Sequence, residues 1–228
     1  MPDIYGSTGD GYADSGEQGT WAGSRNSSGV GVDNNEVRDL TATLVYRDSG
    51  KGGAEVNVIR RAFMFFDTSG ISIAPSEATL KVFGFGSNSL DLIVVKSTAA
   101  TITEAGSFND LAGASTALGN TDGSGAGTLA GVSGLTYSAE IATWSTSGYN
   151  DIALNAFALA DMASLDDFKI CIMSYDYDYL DIAPSLSGTL HRSGFWWTES
   201  IGTPRDPYID YTAGVAVRDN SVFFGANF

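Results

Sequence analysis

The stretch SYDYDYLD, residues 174–181, alternates tyrosines with acids. On a strand, where successive side chains point to opposite faces, Tyr175, Tyr177 and Tyr179 share one side and Asp176 and Asp178 the other. Such a row of rings offers platforms to sugar rings, while Asp176, Asp178 and Asp181 offer oxygen ligands to calcium. The spacing lacks the glycine and distal glutamate of an EF-hand loop, so calcium is the weaker expectation. Tyrosines that simply continue the core begun by Cys171 and Met173 are the commoner outcome for such a segment. Further on, SGFWWTES sets Trp196 beside Trp197. On a strand they point oppositely, one into the core and the other outward as a sugar or protein contact.

Signs of catalysis are few. The chain has one histidine, His191 in TLHRSG, a loop-like stretch, and no G-x-S-x-G elbow. Cys171 is the single cysteine and sits among apolar neighbours in FKICIMS, which points to a small buried hydrophobe rather than a nucleophile. A lone cysteine also rules out an intramolecular disulfide and a cysteine-rich metal site. Carboxylate pairs for glycoside hydrolysis are defined by separation in space, and in this acidic chain a solvated acidic surface accounts for them more simply. The expectation is a protein that is not an enzyme and takes no cofactor.

Composition limits the partners. Twelve basic against twenty-seven acidic side chains give a formal charge of −15, which repels phosphate backbones and anionic membrane surfaces. The longest apolar runs are far shorter than the ~20 residues a spanning helix needs. Nucleic acid and membrane insertion are therefore not expected. The opening MPDIYGSTGDGY has neither a basic nor an apolar leader region, so no secretory signal is expected.

The dominant periodicity is two. AEVNVIRRAFMFFD puts Val56, Val58, Ala62, Met64 and Phe66 on one face and Ile59, Phe63 and Phe65 on the other, the mark of a strand covered on both sides. Arg60 then belongs at the surface and Arg61 in structural hydrogen bonds, with Asp67 supplying charge at the strand's far end. EATLKVFGFG, LDLIVVKS, YNDIALN, FKICIMSYDYDY and PYIDYTAG read as further strands. Helical spacing appears in LNAFALADMASLDDF, where Asn155 can cap a short helix. Residues 111–134, rich in glycine and nearly free of charge, read as a long loop. Together these predict one antiparallel β-sandwich domain over residues 1–213. An apolar tail, 214–228, carries Val222, Phe223, Phe224 and Phe228, which need a cover on this chain or a neighbour.

Arg61, Ala62 and Phe63, then Phe66-Asp67-Thr68-Ser69, Ile71, Pro75 and Ala78-Thr79-Leu80 form a pattern. It resembles the R-x-L-x-x-F-D-L-S-x-I-P segment of the DNRLRE family, jelly-roll domains akin to carbohydrate-binding modules of the family-6 type. The stretch from Asp10 to Val32 is similar to that family's opening region, and Pro207, Tyr208, Ile209 and Tyr211 to its closing strand. The resemblance implies a jelly roll and a binding or assembly role. Joined to the apolar tail, it leads to the expectation of a structural protein of a bacteriophage virion: a capsid-decoration, tail or fibre component. Such a subunit would form homo-oligomers or dock on capsid or tail protein. The alternative is a carbohydrate-binding module of a bacterial surface or secreted protein, with Trp196, Trp197 and the three tyrosines as glycan contacts.

Overall fold

Strand β5, Val56–Asp67, is the spine of the protein, and its alternation explains why. The structure is a computed structural model describing residues 2–29, 31–33, 38–50, 52–88, 90–100, 102, 105–112, 129–198 and 204–216. Along β5, Ala62, Met64 and Phe66 enter one apolar cluster, while Ile59, Phe63 and Phe65 enter a second on the opposite face. Both faces are buried, as the alternation predicts. Burial of so many large side chains on one strand is a large apolar contribution to stability.

The other strands, in chain order, are β1 Asp3–Tyr5, β2 Gly11–Asp14, β3 Gly31–Asp33, β4 Arg38–Asp48, β6 Glu77–Asn88, β7 Leu92–Lys96, β8 Tyr149–Ala153, β9 Asp167–Ser174, β10 Leu190–Trp196 and β11 Tyr208–Thr212. All pairings are antiparallel. Two long strands change partners midway. The first half of β5 pairs with β4 and the second half with β9, which carries β7 on its far side. The first half of β6 pairs with β8 and β11, and the second half with β10. These switches divide the strands into two layers, β7-β9-β5-β2-β3 and β8-β6-β11-β1, joined at one end by β4 and β10. The result is an all-β sandwich, as expected.

The inter-layer core is made by alternate residues of both layers: Met64 and Phe66 from β5, Leu80 and Val82 from β6, Ile170 from β9, Ile152 from β8 and Ile209 from β11. The second core lies outside the β7-β9-β5 layer, where Ile102, Phe108, Leu111, Leu129 and Leu135 cover Phe63, Val95 and Cys171. The two ends of the expected 111–134 loop are thus packed; residues 113–128 lie outside the described residues.

Among the described residues two α-helices flank the sheets. Helix α1, Trp21–Arg25, is capped by the Thr20 hydroxyl, which accepts from Gly23 N. Helix α2, Ala156–Ser164, starts as the sequence predicts: the Asn155 side chain accepts from the amides of Phe157 and Ala158, satisfying two of the donors a helix start leaves free.

The two strands that join the layers depart from expectation. RDLTATLVYRD forms β4, and TLHRSG, read as loop-like, forms part of β10. Strand β10 is bulged between Ser193 and Phe195. A Cβ on Gly194 would sit 2.3 Å from Phe85 O and 2.4 Å from Asp39 O, so only glycine lets β10 fit between β4 and β6. Beyond the bulge Phe195 and Trp197 point into the core and Trp196 outward.

Phe66, 1% exposed in the inter-layer core, gives a direct test of this arrangement. Phe66→Ala should lower unfolding free energy by about 3–5 kcal/mol in urea titration. A loss below about 1 kcal/mol would mean the strand does not line the core.

Candidate functional site

The residues with most chemical potential gather at three places. The first is buried. After β9 the chain does not continue as a strand: Tyr175–Tyr179 form a single π-helical turn, capped by the Ser174 hydroxyl. This corrects the picture of three tyrosines in a row on one strand face. Tyr175 stacks on Tyr179, with centroids 5.7 Å apart, and both belong to the outer core, whereas Tyr177 packs against the inter-layer core and the His191 ring.

The same turn drives Asp178 inward onto Arg61. Arg61 Nε donates to Asp178 Oδ2 at 2.6 Å and Nη2 donates to Oδ1 at 2.7 Å, a two-pronged fork in which neither side chain is exposed. The remaining donors go to Phe108 O and Asn109 Oδ1 from Nη1, and to Arg25 O from Nη2. The guanidinium also lies 4.0 Å from the Phe108 ring centroid. Arg25, 1% exposed, donates to Asp178 O through Nε and Nη2 and meets Asp181 Oδ1 at 2.9 Å through Nη1. Asp181 adopts φ 61, a left-handed conformation that aspartate tolerates better than most residues, and also accepts from Trp21 Nε1.

Arg61 therefore makes structural hydrogen bonds, as expected, but its charge partner is Asp178, 117 residues away. Asp67 instead accepts from the amide and hydroxyl of Ser69 at the surface, and these bonds hold its carboxyl below the usual range. With Asp178 and Asp181 engaged by guanidinium groups, two of the three expected calcium ligands are committed to arginine. Burial lowers the Arg25 pKa, with Asp178 and Asp181 opposing that shift.

The second place holds the groups considered for catalysis. His191 lies on β10, and its partner is the Tyr177 hydroxyl, 3.5 Å from Nε2, rather than a serine or a carboxylate. Cys171 is fully buried, and desolvation pushes its thiol far up, away from the thiolate a nucleophile needs. An open groove of about 620 Å³ is lined by residues 138–145 and 149–153. Its Glu140 is raised by desolvation and then by the charges of Asp91 and Asp176.

The third place was only partly foreseen. Trp197 is 1% exposed and part of the core, while Trp196 faces outward, half-buried, so the expected split of this pair is what the structure has. Trp196 joins an aromatic row that crosses the outer face of the β8-β6-β11-β1 layer. Tyr5 on β1 meets Tyr208 on β11 at 5.5 Å, Tyr208 meets Tyr149 on β8 at 5.3 Å, and Tyr149 meets Phe83 on β6 at 5.2 Å. Phe85 on β6 meets Trp196 on β10 at 6.2 Å. The two segments are joined by Arg205, whose guanidinium carbon lies 5.1 Å from the Phe83 centroid and 4.5 Å from that of Trp196. At the end of the row Arg38 sits 4.2 Å over Phe85 and 5.1 Å from Trp196.

Each of these side chains is exposed or half-buried. The Tyr149 hydroxyl donates across β6 to Pro204 O and Asp206 O, and burial helps push its pKa to about 12. Neither Arg38 nor Arg205 has a carboxylate partner among the described residues, although Arg25, Arg47, Arg60 and Arg61 all do. The sequence carried a partial signal: Phe83 and Phe85 occupy the outward positions of KVFGFG, and Tyr208 does the same in PYIDY. The expected interface residues Val222, Phe223, Phe224 and Phe228 lie outside the described residues.

The chain matches no known family model and no curated protein. Its site must be understood from its own geometry.

The buried fork makes a firm prediction. Arg61→Ala, or Asp178→Ala, should cost about 3–5 kcal/mol in urea unfolding: the second strands the Arg61 charge in the core, and the first leaves Asp178 only Arg25 Nε, 3.5 Å from its Oδ1, and removes the donors to Phe108 O, Asn109 and Arg25 O. Arg61→Met combined with Asp178→Leu should recover most of that loss. If either single change costs under about 1 kcal/mol, the pair is not the anchor its geometry indicates.

Proposed function

We propose that the protein is a non-catalytic structural and interaction protein, a subunit of a virus particle, that docks through the ring-and-guanidinium face crossing β1, β11, β6 and β10. One observation carries this: Arg38 and Arg205 lie over Phe83, Phe85 and Trp196 with no carboxylate partner among the described residues, in a protein of charge −15. Tyrosine, tryptophan and arginine are the residue types that dominate protein–protein contact energy. A guanidinium stacked on a ring keeps its N–H donors directed outward, ready for a carboxylate.

The same geometry argues against a glycan platform. The Trp196 ring, the best sugar-stacking surface of the row, already has two guanidinium groups within about 5 Å of its centroid. Adjacent rings are mostly edge-to-face, at 69° to 81°, rather than coplanar. The virus-particle setting draws on the sequence resemblance and on the apolar tail. The non-catalytic role is supported by the commitments of Cys171, His191 and Asp178 described above.

Trp196→Ala tests the face. The variant should melt within a few degrees of the wild type, since Trp196 is half-buried on the outer side of the sheet. Its share in particles purified from producing cells should fall roughly tenfold, the effect of losing one interfacial hot spot worth about 1.4 kcal/mol or more. Unchanged incorporation, or absence of the wild-type chain from any particle, would overturn the proposal.

A further inference from the structure

The outer face of the β8-β6-β11-β1 layer is graded in charge. Because β6 alternates, Glu77, Thr79, Lys81, Phe83 and Phe85 point outward while Ala78, Leu80 and Val82 point into the core. The registers place Asp210 opposite Thr79 and Asp3 opposite Asp210, so an acidic band of Glu77, Asp210 and Asp3 crosses the face near the start of β6. One step further Tyr208, Tyr5 and Asp151 flank Lys81, and Lys81 is paired with Asp151 at 2.8 Å. Next come the rings of Tyr149 and Phe83. The far end carries Arg38 and Arg205 over Phe85 and Trp196. The order along β6 is acid, aromatic, cation.

A surface graded in this way is complementary to itself after a half-turn. We infer that the face binds a second copy of this chain, in a two-fold dimer that lays the arginine end of each protomer over the acidic band of its partner, with the tyrosine rings stacked at the centre. This rests on the proposal that the face is a docking surface and names its occupant. A closed two-fold contact uses the same patch on both subunits, which is what a bipolar patch allows. It also supplies the carboxylates that Arg38 and Arg205 lack among the described residues. The face spans about 20 by 30 Å, from ~4.8 Å between strands and ~3.3 Å per residue. That is of the same order as the ~800 Å² per partner of a standard interface. The −15 charge of each protomer opposes association at long range, but beyond ~8 Å it is screened at physiological ionic strength, while the paired bands act at contact.

A charge-swap experiment on the full chain tests the contact. Sedimentation equilibrium should show a dimer for the wild type. Arg38→Glu with Arg205→Glu in one variant, and Asp3→Lys with Glu77→Lys in another, should each weaken self-association about tenfold or more with unchanged circular dichroism, since all four side chains are exposed. Mixing the two variants should restore a heterodimer, because both bands are then opposed by the opposite sign. A wild type that stays monomeric at tens of micromolar, a dimer indifferent to both reversals, or variants that fail to rescue each other would overturn the two-fold contact. If the contact fails while Trp196→Ala still lowers particle incorporation, the docking face stands and its occupant is another protein. If incorporation is also unmoved, both fall.

Discussion

The fork between Arg61 and Asp178 is the constraint around which one whole side of the protein is organised. A guanidinium at the centre of a strand that is buried on both faces costs many kcal/mol in lost hydration unless its charge and all its donors are met. Meeting them requires groups from three places: Asp178 on the π-helical turn, Phe108 O and Asn109 on the segment that covers β7, and Arg25 O at the end of α1. Asn109 in turn donates to Ser27 O, so the chain around α1 is fixed through a second bond. The departure from strand geometry at Tyr175 follows from the same need. A continued strand would alternate past Arg61, whereas a wide turn swings a carboxylate under the guanidinium. Such a pair adds less to net stability than apolar residues of the same volume would, but it permits only one arrangement of the elements that share it.

This requirement makes the two outer faces of the sandwich unlike. The β7-β9-β5 layer is closed by Ile102, Phe108, Leu129 and Leu135, packed around the arginines. The β8-β6-β11-β1 layer has its cations on the outside, where Arg38 and Arg205 find rings and, among the described residues, no acids. An arginine in the first layer is a structural pin. In the second layer it is a donor held in position by ring contacts and left with hydrogen-bonding capacity.

How much of this was legible follows from the range of the signals. Period-two alternation is local, so both faces of β5, the inward Leu80 and Val82, and the Asn155 cap could be read directly. Strand β4 was not, because RDLTATLVYRD begins and ends with charged pairs that resemble loop residues. Strand β10 was hidden by Gly194, whose role is a close approach to Phe85 O and Asp39 O that only the assembled sheet reveals. Asp67, at the far end of the same strand, was the natural guess for Arg61. A partner 117 residues away leaves no trace in spacing. The aromatic row is likewise spread over five strands, with one or two rings on each, and becomes a feature only when register sets Tyr5 beside Tyr208 and Tyr149 beside Phe83.

What the outer face can do follows from what its arginines lack. Arg47 is matched to Glu55, Arg60 to Asp14 and Arg25 to Asp181, whereas Arg38, Arg205 and Arg192 on β10 have no carboxylate partner among the described residues. With twenty-seven acidic side chains for twelve basic ones, carboxylates are abundant, so the lack of one beside Arg38 and Arg205 among the described residues reflects their location rather than scarcity. Their guanidinium planes are held by Phe83, Phe85 and Trp196, which cuts the entropy lost when they engage a ligand. A hydrolytic site needs a group whose proton affinity is tuned to transfer, and a sugar platform needs a bare ring. This face offers instead fixed, permanently charged donors on an aromatic bed, with acids a few residues away along the same strands. That combination favours reversible docking of protein surfaces bearing carboxylates, and the acidic band of the face itself is such a surface.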